Sequence, residues 1–371
     1  NEGEAPVFRL HAQTHSDNPY FNERELPLGR IDPGESKSWT LNVRTPRDSQ
    51  TRSDPIRVEF TELHDRAPEP VETMVTVRGL ARPTFSYAYQ LEDSERGNGD
   101  GRVSRGERVR MFVTVENRGP GQTYNSQVNI KNESGEGVLI HDGRHELGVL
   151  QPGETRTHAF ELEVLRSFEA LEIELELAIT EFELRDEVAE RLVFPVVEPS
   201  EGTETLSQMA SFAERTPVYE RPSTDGAAHQ VGWLDAGANA AITHHMGEFI
   251  RANIGEGRTG WVQRDSAELS ATASSAEQPA FEVRMDNTPP EISFATDPPL
   301  RVSTETLTLR GEVQDGDRVL DMYIFVGRRK MFYLSNREGA DQRRASFNAE
   351  LPLEPGSNYL LIVARESGDV V

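Results

Sequence analysis

The 371-residue chain has no cysteine, which excludes a disulfide framework, a thiolate metal site and a cysteine nucleophile. That absence fits reducing and oxidising compartments alike. Lysine is scarce as well: Lys37, Lys131 and Lys330 are the only ones, and the rest of the 39 basic residues are arginine. No apolar run approaches the ~18–20 residues of a membrane-spanning helix, so no membrane span is expected. Hydrophobic residues make up 36% and aromatics 7%, which argues against one large core and for two to four small domains. Basic charge is outweighed by 63 carboxylates for a net of −24, which argues against nucleic acid and anionic membrane surfaces as partners. Strong acidity with arginine over lysine points to a GC-rich genome and a saline habitat, where salt screens self-repulsion.

What the chain does have is an internal repeat. Leu28-Gly29 through Pro33-Gly34-Glu35 returns as Leu147-Gly148 through Pro152-Gly153-Glu154, a shift of 119 positions. At that shift Leu41 falls on Phe160, Ile56-x-Val58-x-Phe60 on Leu175-x-Leu177-x-Ile179, and Val75-x-Val77 on Phe194-x-Val196. The same strands in the same order are therefore expected twice. Asn1-Glu-Gly3 aligns with Asn117-Arg-Gly119, so the first copy is expected to lack its opening strands. Residue 1 is Asn, no signal segment follows, and the chain stops on Asp369-Val-Val371; we read an internal fragment of a longer protein.

Val109, Met111, Val113 and Val115 alternate with other residues, and Leu171 to Leu177 alternates leucine or isoleucine with glutamate, the period of a half-buried strand. Pro-Gly at 33–34, 152–153 and 355–356 supplies tight turns. The fold class expected is all-β: tandem immunoglobulin-like β-sandwiches with an SH3-like barrel before the last one. The domains read as 1–81, an N-terminally truncated sandwich; 82–199, a sandwich; 205–270, the barrel; 271–286, a small-residue linker; and 287–371, a sandwich truncated at its C-terminus. The barrel assignment rests on Thr216-Pro-Val-Tyr219, Val231-Gly232-Trp233-Leu234 and Gly257-Arg-Thr-Gly260-Trp261-Val262, which resemble the bacterial SH3-like barrel family. Residues 85–199 hold 12 basic and 23 acidic side chains, a net of −11, so the acidity is concentrated on the second sandwich.

Among candidate sites, Gly97-Asn98-Gly99-Asp100-Gly101 followed by Glu107 approximates a calcium loop, with Asn98, Asp100 and Glu107 as the metal ligands. Arg96 stands where the first acidic ligand belongs, and a Gly-rich turn held by Asn and Asp side chains explains the stretch without calcium. His244 and His245 are adjacent, so in a strand they point to opposite faces and do not share an ion. The many carboxylates of 161–190 read as a solvated sheet face. No Gly-x-Ser-x-Gly, Ser-x-x-Lys or His-Glu-x-x-His is present, so no catalytic residue is assigned. Tyr219, Trp233, Phe249 and Trp261 are the candidate binding residues for a protein or peptide, with burial in the core as the competing reading for Trp261 and Phe249. Arg328-Arg329-Lys330 before Met331-Phe332-Tyr333 is either a hairpin tip or a site for an acidic partner.

The order of these pieces resembles the carboxyl-terminal region of large secreted carboxyl-terminal processing (tail-specific) proteases of myxobacteria-like bacteria. The segments that carry the resemblance are Phe21-Asn-Glu-Arg-Glu-Leu26, Arg52-Ser-Asp54, Arg82-Pro-x-Phe85-x-Tyr87, the Gly-Asn-Gly-Asp-Gly loop, Leu192-x-Phe194-Pro195, the barrel, Lys330-Met-Phe-Tyr333 and Val363-Ala-Arg365-Glu-Ser367. The resemblance implies CARDB-like sandwiches, PDZ and Ser/Lys protease domains upstream, and export to the periplasm, cell envelope or exterior. None of the family's catalytic residues maps onto this chain, which is thereby expected to be a non-catalytic accessory region recruiting protein or cell-wall partners. An adhesion or structural protein of the same modules is the alternative, and attachment to peptidoglycan through the barrel a third.

Overall fold

The computed structural model describes residues 1–93, 97–198, 203–224, 229–270 and 279–367. Among them the secondary structure is β-strand throughout, with one 3-10 turn at Arg264–Ser266. The chain divides into two units: Asn1–Leu80, Glu291–Gln314 and Val319–Ala364 form the first, and Ala81–Pro290, Asp315–Arg318 and Arg365–Val371 the second.

The first repeat copy is a single sheet ordered β2-β1-β3-β4, with β1 Val7–His15, β2 Glu25–Ile31, β3 Arg52–Thr61 and β4 Val71–Val77. The second copy is a sandwich of β5 Phe85–Glu92, β6 Val103–Ser104, β7 Arg108–Asn117, β8 Ser126–Asn132, β9 Val138–Ile140, β10 Arg144–Gly148, β11 Thr155–Val164, β12 Glu172–Glu181 and β13 Asp186–Val197. Its sheets are β10-β8-β12-β13-β6 and β5-β7-β11-β9. The order β2-β1-β3-β4 thus repeats as β10-β8-β12-β13, and the register repeats with it. Thr61 opposite His11 becomes Thr180 opposite Gln127, and Ser53 opposite Thr76 becomes Glu172 opposite Pro195.

Asn1 and Asn117 are equivalent at the level of single hydrogen bonds. The Oδ1 of Asn1 accepts from the N–H of Gly3, and its Nδ2 donates to the carbonyls of Ala5 and Ile31. Asn117 does the same with Gly119, Gly121 and Leu150. Each Asn carbonyl also takes the N–H of the Pro-Gly glycine, Gly34 or Gly153. Those glycines sit at φ +79 and +80, as a type II turn requires.

The sandwich closes because β12 buries Ile173, Leu175, Leu177 and Ile179 on one face, each worth about 1.5–3 kcal/mol relative to exposure. They meet Met111, Val113, Val115 and Phe160 from the other sheet. Two details depart from the alternation. Leu171 lies outside the strand and is 78% exposed. Glu181, assigned to the solvated face, is fully buried, where it accepts from the N–H groups of Tyr124 and Asn125 and the hydroxyl of Ser126. In the first copy, Leu41 aligns with Phe160 of β11, yet residues 37–51 form no strand and Trp39, Leu41 and Val43 are exposed. β11 is held by β7, and the first copy has no counterpart of β7 within this sequence.

The next module is one eight-stranded antiparallel sheet, β20-β14-β17-β18-β19-β15-β16-β21. Its strands are β14 Glu204–Ser211, β15 Thr216–Tyr219, β16 Gln230–Leu234, β17 Asn239–Met246, β18 Phe249–Gly255, β19 Arg258–Gln263, β20 Glu268–Ser270 and β21 Phe281–Val283. Residues from all eight strands join one core cluster, so the sheet wraps around it. Phe281–Val283, within the 271–286 linker expected from the sequence, pairs with β16 and belongs to this module. Most of the remaining linker, 271–278, and of the stretch 199–204 lies outside the described residues.

The last sandwich packs β22 Glu291–Phe294, β23 Thr306–Gln314 and β26 Arg344–Pro352 against β24 Asp321–Val326, β25 Arg329–Ser335 and β27 Leu360–Arg365. Leu309, Val313, Met322, Ile324, Phe347 and Leu351 form its core.

Candidate functional site

β5 is the edge strand of its sheet, and nearly every residue in it is buried. Alternation explains half of this: Phe85, Tyr87 and Leu91 face the sandwich core. The other face meets the eight-stranded module. Gln90 donates to the carbonyl of Thr259 (2.6 Å), and the Thr259 hydroxyl donates to Glu92 (3.0 Å). The Leu91 N–H donates to Glu220 (2.6 Å), and Tyr87 exchanges two backbone hydrogen bonds with Asn287. Arg110 bonds both Glu92 and the Gly257 carbonyl. Together these contacts cover an edge whose open N–H and C=O groups would otherwise invite foreign strands.

The Gly-rich loop is the second half of the joint. Asp93 gathers it: its carboxylate accepts the N–H groups of Gly99, Asp100 and Gly101. Glu107 likewise accepts from Asn98 and Ser104. So folded, Gly99 lies against the guanidinium of Arg251 and Gly101 against the carbonyl of Glu220, at 2.3 Å from where a Cβ would sit in each case. Both glycines have positive φ, +78 and +73. Glycine is required here for conformation and for closeness of approach at once.

Electrostatics at the joint follow from burial. Burial, with the charges of Asp100 and Glu107 nearby, pushes the Asp93 carboxyl up to about 7 against the pull of the Gly101 N–H. Glu220 is also raised by burial, opposed by the charge of His229. Burial alone would lower His229, but its 2.6 Å contact with Asp286 and the charge of Glu220 hold it above the ordinary range.

The side chains of the candidate calcium loop are tied into its own hydrogen bonds. The side-chain oxygens of Asp93 and Glu107 already accept backbone N–H groups, as do Asn98 Oδ1 and Asp100 Oδ1. Among the described residues no three His, Cys, Asp or Glu side chains converge to hold a metal ion. Arg96, the residue at the loop's first ligand position, lies outside the described residues. Calorimetric titration with calcium chloride is therefore expected to give no saturable heat.

The four candidate aromatics have different surroundings. Trp261 is 1% exposed; it stands outside the module's own core, on the face that carries Thr259 and Arg251 to the sandwich. The Arg251 guanidinium lies over its ring at 5.7 Å. Tyr219 is its register partner on β15 and is half-buried. Trp233 lies under the guanidinium of Arg215 at 4.3 Å, and Phe249 opposes Gln263. His244 and His245 have separate partners, Arg251 and Glu204.

Sequence reasoning missed a carboxylate cluster in the second unit. Burial and the charges of Asp315, Asp317, Glu190 and Asp286 push Glu366 up to about 7, and its buried Oε2 has no hydrogen-bond partner. A carboxyl raised in the folded state above its unfolded value favours folding when protonated. Its penalty grows as pH rises from about 4.5 and is complete above 7. Glu366→Gln is expected to stabilise the chain at pH 8 by about 1 kcal/mol, discounted for solvent screening of a half-buried group, and to change less at pH 5. Thermal melts at the two pH values check this.

The chain matches no protein-family model and no curated protein. Among solved structures it is similar to the D00-D0 domain of Intimin, with 11% identity over 52% of this chain and 87% of that one, and a TM-score of 0.19. A likeness at that score carries no argument for fold or function; the all-β architecture stands on the sheets described above.

Proposed function

We propose that this chain is a non-catalytic spacer and docking region, which holds binding modules at fixed separation for a secreted serine protease of the carboxyl-terminal processing type. The joint between the second sandwich and the eight-stranded module supports the reading. A flexible string of domains needs no buried polar contacts between neighbours, whereas here β5 and the Gly-rich loop engage Thr259, Glu220, Arg251 and Asn287. The association with a protease rests on the resemblance of the segments quoted above, as does export to the cell envelope. Reading the coding sequence upstream of Asn1 tests it: a PDZ segment with a Ser/Lys pair is expected, and their absence would leave an adhesion or structural protein. Retention on purified peptidoglycan, compared with and without residues 205–270, tests cell-wall attachment; equal retention would reject a role for the barrel.

A further inference from the structure

The outer face of the sheet β25-β24-β27 in the last sandwich carries a row of rings. Tyr323 lies 5.2 Å from Tyr333 and 6.4 Å from Phe325, ring centre to ring centre. None of the three joins the hydrophobic core, which takes Met322, Ile324, Phe332 and Leu334 from the opposite face. Tyr333, Tyr359 and Leu361 are 50%, 52% and 42% exposed. The Lys330 ammonium sits 4.6 Å above the Tyr323 ring and 5.4 Å from that of Tyr333, so the rings hold a cation in place. Gly327, at φ +59, turns the hairpin and projects Arg328 and Arg329 beside it.

Arg328, Arg329 and Lys330 are exposed, and no carboxylate lies within ion-pair distance of any of them among the described residues. In a chain of net charge −24, three consecutive cations left unneutralised over an aromatic row favour an anionic occupant. Three cations are too few to offset the chain's acidity towards a nucleic acid. β25 is also an edge strand, with β24 as its only hydrogen-bonded neighbour in the sheet among the described residues. An edge strand offers alternate N–H and C=O groups that an extended polypeptide can pair with and a saccharide cannot.

We infer that this face binds an extended acidic segment of a partner polypeptide, added as a strand at the β25 edge with its carboxylates at the hairpin tip on Arg328, Arg329 and Lys330 and an apolar side chain on Tyr333. This deepens the docking role proposed above by naming the surface and the partner's chemistry. It rests on the last sandwich alone and stands if the association with a protease fails.

Calorimetry on the full chain tests it with a short peptide of consecutive Glu followed by consecutive Val, which can set carboxylates at the hairpin tip and an apolar side chain on Tyr333. The peptide is expected to bind with an affinity that falls as salt rises. The exposed double variant Arg329→Glu/Lys330→Glu is expected to weaken it about tenfold while melting like the parent. N-methylation of the peptide along one edge is expected to abolish binding. Equal binding of a Lys-Val peptide, indifference to N-methylation, or binding of an acidic oligogalacturonate in place of the peptide would each overturn the inference.

Discussion

Trp261→Ala is expected to cost about 3–5 kcal/mol of stability in chemical denaturation, the range for deleting a fully buried large aromatic. The side chain is 1% exposed, yet it is not part of the eight-stranded module's own core. Its loss would also remove the surface on which the guanidinium of Arg251 rests, and Arg251 is itself only 4% exposed. Leaving that cation buried beside a void adds to the cost, since a buried charge depends on its surroundings for compensation. A ligand-groove tryptophan would behave differently: its replacement would abolish binding and leave stability within ~0.5 kcal/mol.

Gly101→Val is expected to uncouple the two modules. Two costs combine at this position. A β-branched residue at φ +73 is strained by ~1–2 kcal/mol, and the new Cβ would stand 2.3 Å from the Glu220 carbonyl, a backbone atom that cannot swing aside. The second unit is expected to melt in one transition in the parent and in two in the variant. Gly153→Val separates the causes, because Gly153 has φ +80 with nothing within 4 Å of its added Cβ. It carries strain without a clash, so it should lower the melting point and leave the single transition intact.

Much of the fold was legible in the sequence because it depends on short-range pattern. The two-residue period located β7 and β12, and Pro-Gly located the turns. The repeat proved more faithful than strand order alone, reaching the side-chain hydrogen bonds of Asn1 and Asn117. What was hidden depends on contacts between modules. Ala88, Gln90 and Glu92 in β5, and Phe112 and Thr114 in β7, occupy the solvent side of a one-sided strand by alternation, yet all are buried. Phe112 at an outward position was the available signal. Trp261 was ambiguous for the same reason: alternation with Gly260 and Val262 places it outside the core of the eight-stranded module, where only knowledge of a neighbour distinguishes a groove from a joint. Glu181 was misplaced because its partners, Tyr124 to Ser126, lie far away in sequence. The calcium pattern and the docking loop share the same glycines and acids, and the backbone donors that occupy Asp93 and Glu107 become visible only in three dimensions.

The absence of cysteine, which excluded so much chemistry at the outset, makes the decisive measurement simple. Exposed Glu176 on the sandwich and exposed Asp265 on the eight-stranded module can each be replaced by cysteine and spin-labelled with no competing thiol. Pulsed electron paramagnetic resonance on Glu176→Cys/Asp265→Cys should give one narrow distance distribution, which Gly101→Val broadens. A broad distribution in the parent, unchanged by that substitution, would contradict a rigid joint and with it the spacer role.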